Sequence, residues 1–285
     1  MFHFLPSPPL PDVIQHYANQ YLAFNKWIVY NARMETSKIK KVLSEVLDLA
    51  KDFESIEALD PKLSLFTITV TIIARRDFPI LHSIAVLADD PLSGDAILDL
   101  SRRVLEDMIS VKFMVLKGKE DMAAKFIRYS AVERWLDLEY LRKMGIQEDP
   151  GLEKKIEDDF QKVRPQFVYK KDQIAQSWSS TRLELMIEEL VKAKVITDAE
   201  KEYLLQGYIT GNRKNHLSSR DTSYFANKTQ RADDLEDSLR IGLVIAIVSY
   251  MRILSNYAEE TGNIALAGQL DRLFSKLNVP VVNSA

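Results

Sequence analysis

Breakers of regular structure are scarce in this 285-residue chain, and their placement is uneven. Of ten prolines, four (Pro6, Pro8, Pro9 and Pro11) fall within the first eleven residues, and only nine glycines punctuate the whole sequence. A sheet of many short strands needs a turn signal roughly every 8–12 residues, which this sequence does not supply. Long helices are the remaining solution, with hydrophobic residues at 46% giving enough apolar material for a sizeable core. The expected fold is all-α: a multi-helix bundle forming one domain over residues 12–285, preceded by an extended, Pro-rich arm over residues 1–11.

Composition excludes several chemistries. There is no cysteine, so disulfides, thiolate metal sites and thiol nucleophiles are ruled out, which suits a reducing cytoplasm. The N-terminal residues lack both the basic and the long apolar region of a secretory signal. The most apolar run, Leu239 to Leu254, is interrupted by Arg240 and Arg252 and falls short of the ~20 residues that cross a bilayer. It is expected to be a central buried helix, with no membrane partner. A net charge of −3 provides no global field for nucleic acid, so any such contact must come from a local patch.

Along the chain, helical pattern runs from Val13 to about Leu59. Asp60-Pro61 has the form of an N-cap followed by Pro at the first helical position. Residues 63–74 are rich in β-branched side chains, but they are expected to be a buried helix because both neighbouring segments are helical. Pro79 is expected to begin a new helix through Leu87, and residues 89–94 a loop. From Asp95 to Leu116, apolar residues recur at spacings of three and four. From Asp121 to Met144, Phe126, Tyr129, Val132, Leu136 and Tyr140 form a stripe expected to pack in the core, ended by Gly145 as a C-cap. Asp149-Pro150 restarts a helix that Arg164-Pro165 ends. Thr181-x-x-Glu184 and Thr197-x-x-Glu200 have the form of capping boxes for helices at about 182–194 and 198–210. The last two helices are expected at about 233–258 and 261–277.

Motifs for phosphate loops, dinucleotide folds, serine hydrolases and zinc peptidases are absent from the sequence. Glu-x-x-His pairs are absent as well, since Val13, Pro79 and Arg213 stand three residues before His16, His82 and His216. Neither a metal nor another cofactor is therefore expected.

One segment differs from the rest. Residues 212–231 carry five basic side chains (Arg213, Lys214, Arg220, Lys228 and Arg231) against the single acid Asp221, together with His216, Ser218, Ser219 and Thr222. Arginine forks bind phosphate bidentately, hydroxyls complete the shell, and a histidine transfers protons near neutral pH. In that chemistry His216 is the candidate catalytic residue. Arg213, Lys214 and Arg220 are candidate phosphate ligands, and Ser218, Ser219 and Asp221 support them. A solvated loop whose polar residues cap helices is the competing reading. Arg102-Arg103-x-x-Glu106 is the second feature. Arg102 and Glu106 have the spacing of a helical ion pair, and Arg102 or Arg103 could also turn into a cleft shared with the 212–231 segment, with Glu106 supporting.

The order of these elements resembles a bacterial family of all-helical proteins of unknown function. The residues that carry it are Asp95-Ala96, Leu98, Leu100, Ser101-Arg102-Arg103 and Leu105-Glu106. They are followed by Phe126-x-x-Tyr129, Trp178, and Tyr203 and Tyr208 leading to Gly211 and His216, over about residues 65–250. That family is similar to the HEPN superfamily, helical bundles that often dimerise and include metal-independent ribonucleases using an Arg and a His. The resemblance implies a homodimer that binds or cleaves RNA or a nucleotide. The spacing differs here, since Arg213 precedes His216 by three positions and Arg220 follows it. A non-enzymatic helical scaffold or regulator that binds a protein partner is the alternative.

Overall fold

The computed structural model describes residues 34–54, 62–168, 173–197, 200–201, 204–205, 208 and 228–277. Among them are eight α-helices: α1 (Thr36–Glu54), α2 (Leu65–Leu87), α3 (Gly94–Lys117), α4 (Lys119–Lys143), α5 (Pro150–Phe167), α6 (Leu183–Lys192), α7 (Lys228–Thr261) and α8 (Ile264–Lys276). A single bridge between Val168 and Ile174 is the one β-type pairing among the described residues. The fold is all-α. The Pro-rich arm and the helical pattern of residues 13–33 lie outside the described residues.

α7 is the axis of the bundle. Its residues Leu243, Ile245, Ala246, Ile247, Tyr250 and Leu254 are buried, and it packs along α3 as well as on α1, α2 and α8. Two glycines set the α3–α7 distance. A Cβ on Gly94 would stand 2.1 Å from the Leu235 carbonyl oxygen, and one on Gly242 would stand 2.9 Å from the Ile97 side chain. Because Gly94 meets Leu235 and Leu239 while Gly242 meets Ile97 and Leu98, the two helices run parallel. The stretch Leu235–Thr261 is long and apolar enough to cross a membrane, and 78% of its apolar window is buried inside the bundle.

The β-branched segment is helical, as its neighbours imply. Its threonines satisfy themselves within α2: Thr69 and Thr71 donate to the carbonyl oxygens four residues back, each at 2.8 Å. Asp60 and Pro61 lie outside the described residues; the cap of α2 is Ser64, accepting from the Thr67 amide at 3.1 Å. Glu120 of α4 takes the amides of Leu65 and Phe66 at 2.9 and 3.3 Å. A carboxylate at a helix N-terminus satisfies orphan donors and the dipole together.

α2 continues through Pro79 instead of restarting there. Proline removes one hydrogen bond from a helix interior, and burial of Phe78, Leu81 and Ile84 around it holds the two halves in line. The 89–94 loop contains a short 3-10 turn, with the Asp90 side chain accepting from Leu92 at 2.9 Å.

The α4 stripe divides. Tyr129 and Val132 are core residues, whereas Leu136 and Tyr140 are 41% and 63% exposed. α4 outruns the elements packed on its first half, and its C-terminal half meets mainly α5 through Trp135 stacked on Phe160 at 4.4 Å. Gly145 closes α4 with φ +74°. α5 starts at the Asp149 cap as expected and extends through Pro165 to Phe167. The Thr197–Glu200 box forms reciprocally, with the Thr197 amide on Glu200 at 2.9 Å and the Glu200 amide on the Thr197 hydroxyl at 3.1 Å. The Thr181–Glu184 box does not form: α6 begins one residue later than that spacing requires, with Arg182 at the cap position making no side-chain cap bond.

Candidate functional site

A cleft of about 690 Å³ opens between α2, α3, α4 and the turn leading into α6. Helix spacing places its polar residues. Ile72 and Arg76 are one turn apart on α2, Glu106, Asp107 and Ser110 share a face of α3, and Phe126, Ser130 and Glu133 share a face of α4. The fourth wall, residues 176–181, is irregular but fixed from both sides. The Tyr129 hydroxyl donates to the Ala175 carbonyl at 2.8 Å, and Trp178 packs edge-on against Phe126 at 5.4 Å between ring centres. The Thr181 amide donates to the Ser179 hydroxyl at 3.1 Å. Tyr208 completes the lining.

Charge is concentrated on one side of this cleft. The Arg76 guanidinium donates to Asp107 at 2.5 Å and lies 4.0 Å from Asp77. Asp77 is fully buried, and neither of its oxygens has a hydrogen-bond partner among the described residues. Burial pushes its carboxyl well above the usual carboxylate range, and the adjacent Asp107 carboxyl pushes it further, against the pull of Arg76 and Arg103. Two carboxyls in contact cannot both ionise at small cost, which favours the protonated form of Asp77. The buried Tyr250, whose hydroxyl donates to the Ala74 carbonyl at 3.2 Å, is likewise raised by burial and by the proximity of Asp77.

The other two cleft carboxylates differ in their partners. Glu106 is ion-paired with Arg102 at 3.1 Å across one helical turn, and burial raises it while Arg102 lowers it. Glu133 is exposed. Burial raises it, Arg76 opposes that, and Asp137 adds to it, but no side chain among the described residues stands within ion-pair distance of it.

The sequence-derived candidates are thus separated by the fold. Arg102 and Glu106 form the expected i,i+4 pair. Glu106 lines the cleft, whereas Arg102 and Arg103 do not. His216, Arg213, Lys214, Arg220, Ser218, Ser219 and Asp221 lie outside the described residues. Sequence reading missed Arg76, Asp77, Asp107 and Glu133. Asp77 carried a usable signal, because it falls on the stripe Ile73, Asp77, Leu81, Ile84, where every other member is a fully buried apolar residue. A charge on such a stripe is costly unless it has a role or a partner. Among the described residues, no group of three or more His, Asp or Glu side chains could hold a metal ion.

A family model described as a family of unknown function (DUF5677) matches residues 72–233, a span that contains every cleft residue named above. The chain belongs to that family. No curated protein and no solved structure matches it.

Proposed function

We propose that this member of the DUF5677 family binds a nucleotide, free or within RNA, with the base in the cleft and the phosphate on the basic segment 212–231. One observation carries this reading. Tyr208, four residues before that segment, lines the carboxylate-bearing cleft, so an aromatic and acidic site is joined by a few bonds of chain to Arg213, Lys214 and His216. Four residues of extended chain span roughly 14 Å, enough to join a base site to a phosphate site.

The chemistry is complementary. Flat rings stack on aromatic side chains, and carboxylates accept from base N–H groups, while arginine and lysine meet the phosphate. The resemblance to HEPN ribonucleases supports RNA as the polymer form of the ligand and His216 as its acid–base residue. Titration of mononucleotides and a mixed single-stranded RNA at low and raised salt tests the reading. Affinity should fall with salt, and Arg213→Ala with Lys214→Ala should weaken it. RNA cleavage that is unchanged in His216→Ala would remove the catalytic part, and absence of any binding would remove the whole.

A second reading is supported by α4. Leu136, Tyr140 and Met144 form an exposed apolar stripe at i, i+4 and i+8, continued by Ile146 and Leu152. In this reading the face packs against the same face of a second copy, as in isologous dimers. Light scattering of wild type and Tyr140→Glu tests it: a dimer that becomes a monomer supports the contact, and a wild-type monomer excludes it.

A further inference from the structure

Three carboxylates line the cleft, and the fold leaves them in different states. Asp107 is occupied by Arg76. Glu106 is occupied by Arg102. Glu133, on α4 one turn from Ser130 and two from Phe126, lines the same cleft with both oxygens unengaged by any described side chain. A carboxylate accepts hydrogen bonds only, and its two oxygens suit two parallel donors.

The fully buried Asp77 is a separate observation on the same site. A buried carboxyl without a hydrogen-bond partner among the described residues costs stability, and the Arg76–Asp107 pair beside it already engages the neighbouring acceptor. Glu133 is left as the acceptor pair that faces a ligand.

Resting on the nucleotide reading above, we propose that the cleft selects guanine, with Glu133 as the specificity-determining residue. The guanine edge places the ring N1–H beside the exocyclic N2 amino group, two donors side by side. Adenine and cytosine each present one amino donor next to a ring nitrogen acceptor, which would face a carboxylate lone pair. Uracil presents one N–H between two carbonyl oxygens. Only guanine satisfies both Glu133 oxygens without opposing an acceptor to them. Phe126, Trp178 and Tyr208 supply the apolar and aromatic walls that a flat bicyclic ring requires.

Calorimetric titration of GMP, AMP, CMP and UMP into wild type and Glu133→Gln at low salt tests the proposal. The four ligands carry the same phosphate, so their differences report the base alone. GMP should bind about tenfold or more tightly than the other three. Glutamine offers one donor and one acceptor, so in Glu133→Gln the guanine preference should collapse and AMP should gain on GMP. Glu133 is exposed, and the variant should unfold at the wild-type midpoint. Four affinities within threefold of one another, a preference for another base, or a guanine preference unchanged in Glu133→Gln would overturn guanine selection while leaving nucleotide binding in place. No binding of any of the four would overturn both.

Discussion

The carboxyl of Asp77, fully buried on α2, lies against that of Asp107 on α3, with Arg76 bonded to Asp107 and 4.0 Å from Asp77. The arrangement favours the protonated form of Asp77, and it makes the fold sensitive to pH in a direction that can be worked out. In the unfolded chain an aspartate titrates near 3.8, so below that pH both states are protonated and the titration contributes nothing. Above it the unfolded chain releases a proton that the folded protein retains. Stability contributed by this pair therefore falls as pH rises, until the folded carboxyl also ionises.

Asp77→Asn keeps the shape and removes the titration. Urea unfolding between pH 4 and 8 should show wild type losing up to ~1.4 kcal/mol per pH unit relative to the variant. The variant should be the more stable of the two at pH 7. A parallel pH dependence of both proteins would mean that Asp77 is not protonated in the fold.

The opposite sign applies to Lys112 on α3. Burial pushes its ammonium down to about 8, with Arg252 adding to the effect and Glu200 and Glu259 opposing it. The folded protein gives up this proton before the unfolded chain does, so stability is penalised at neutral pH and recovers as pH rises from about 8 towards the ordinary 10.5. Lys112→Met should be more stable than wild type at pH 7 by ~1–3 kcal/mol, with the gap closing by pH 10. Thermal unfolding at pH 7 and pH 10 measures it.

Gly94 and Gly242 set the α3–α7 contact, and the two helices cannot separate without opening the core. Gly242→Ala should cost ~1–3 kcal/mol by forcing the added methyl onto Ile97. Gly94→Ala should cost at least as much, because its neighbour is backbone. Gly268 on α8 has open space where its Cβ would be. Gly268→Ala should therefore stabilise by ~0.5–1 kcal/mol through helix propensity alone. Denaturant midpoints of the three variants decide the matter, and equal signs at all three positions would refute this account of the packing.

Much of the architecture could be read from periodicity and punctuation. Asp149, Gly145 and the Thr197–Glu200 box act where local hydrogen-bond chemistry says they should, because caps are decided within a few residues. The Thr181–Glu184 box is a local exception, and the errors at Pro79 and on α4 share a cause in tertiary contact. Pro79 sits inside α2 because buried neighbours hold the helix together, and Leu136 and Tyr140 are exposed because α5 packs on a different face of that end of α4. The cleft was hidden for the same reason: Arg76, Asp107 and Glu133 are separated by 31 and 26 positions and meet only when three helices pack. The Arg102–Glu106 pair, being local, was legible.

The proposed base site is the cleft between α2, α3 and α4, and filling that cleft blocks it most directly. Ser130 lines the cleft and is only partly buried, so Ser130→Trp occupies the space with little cost to the core. Calorimetric titration of GMP into wild type and Ser130→Trp at low salt, with unfolding midpoints as the control for folding, is the measurement. The account predicts saturable one-site binding in wild type and its loss in a variant that unfolds at the same midpoint. Equal affinity in the two proteins, or no binding to either, would contradict it.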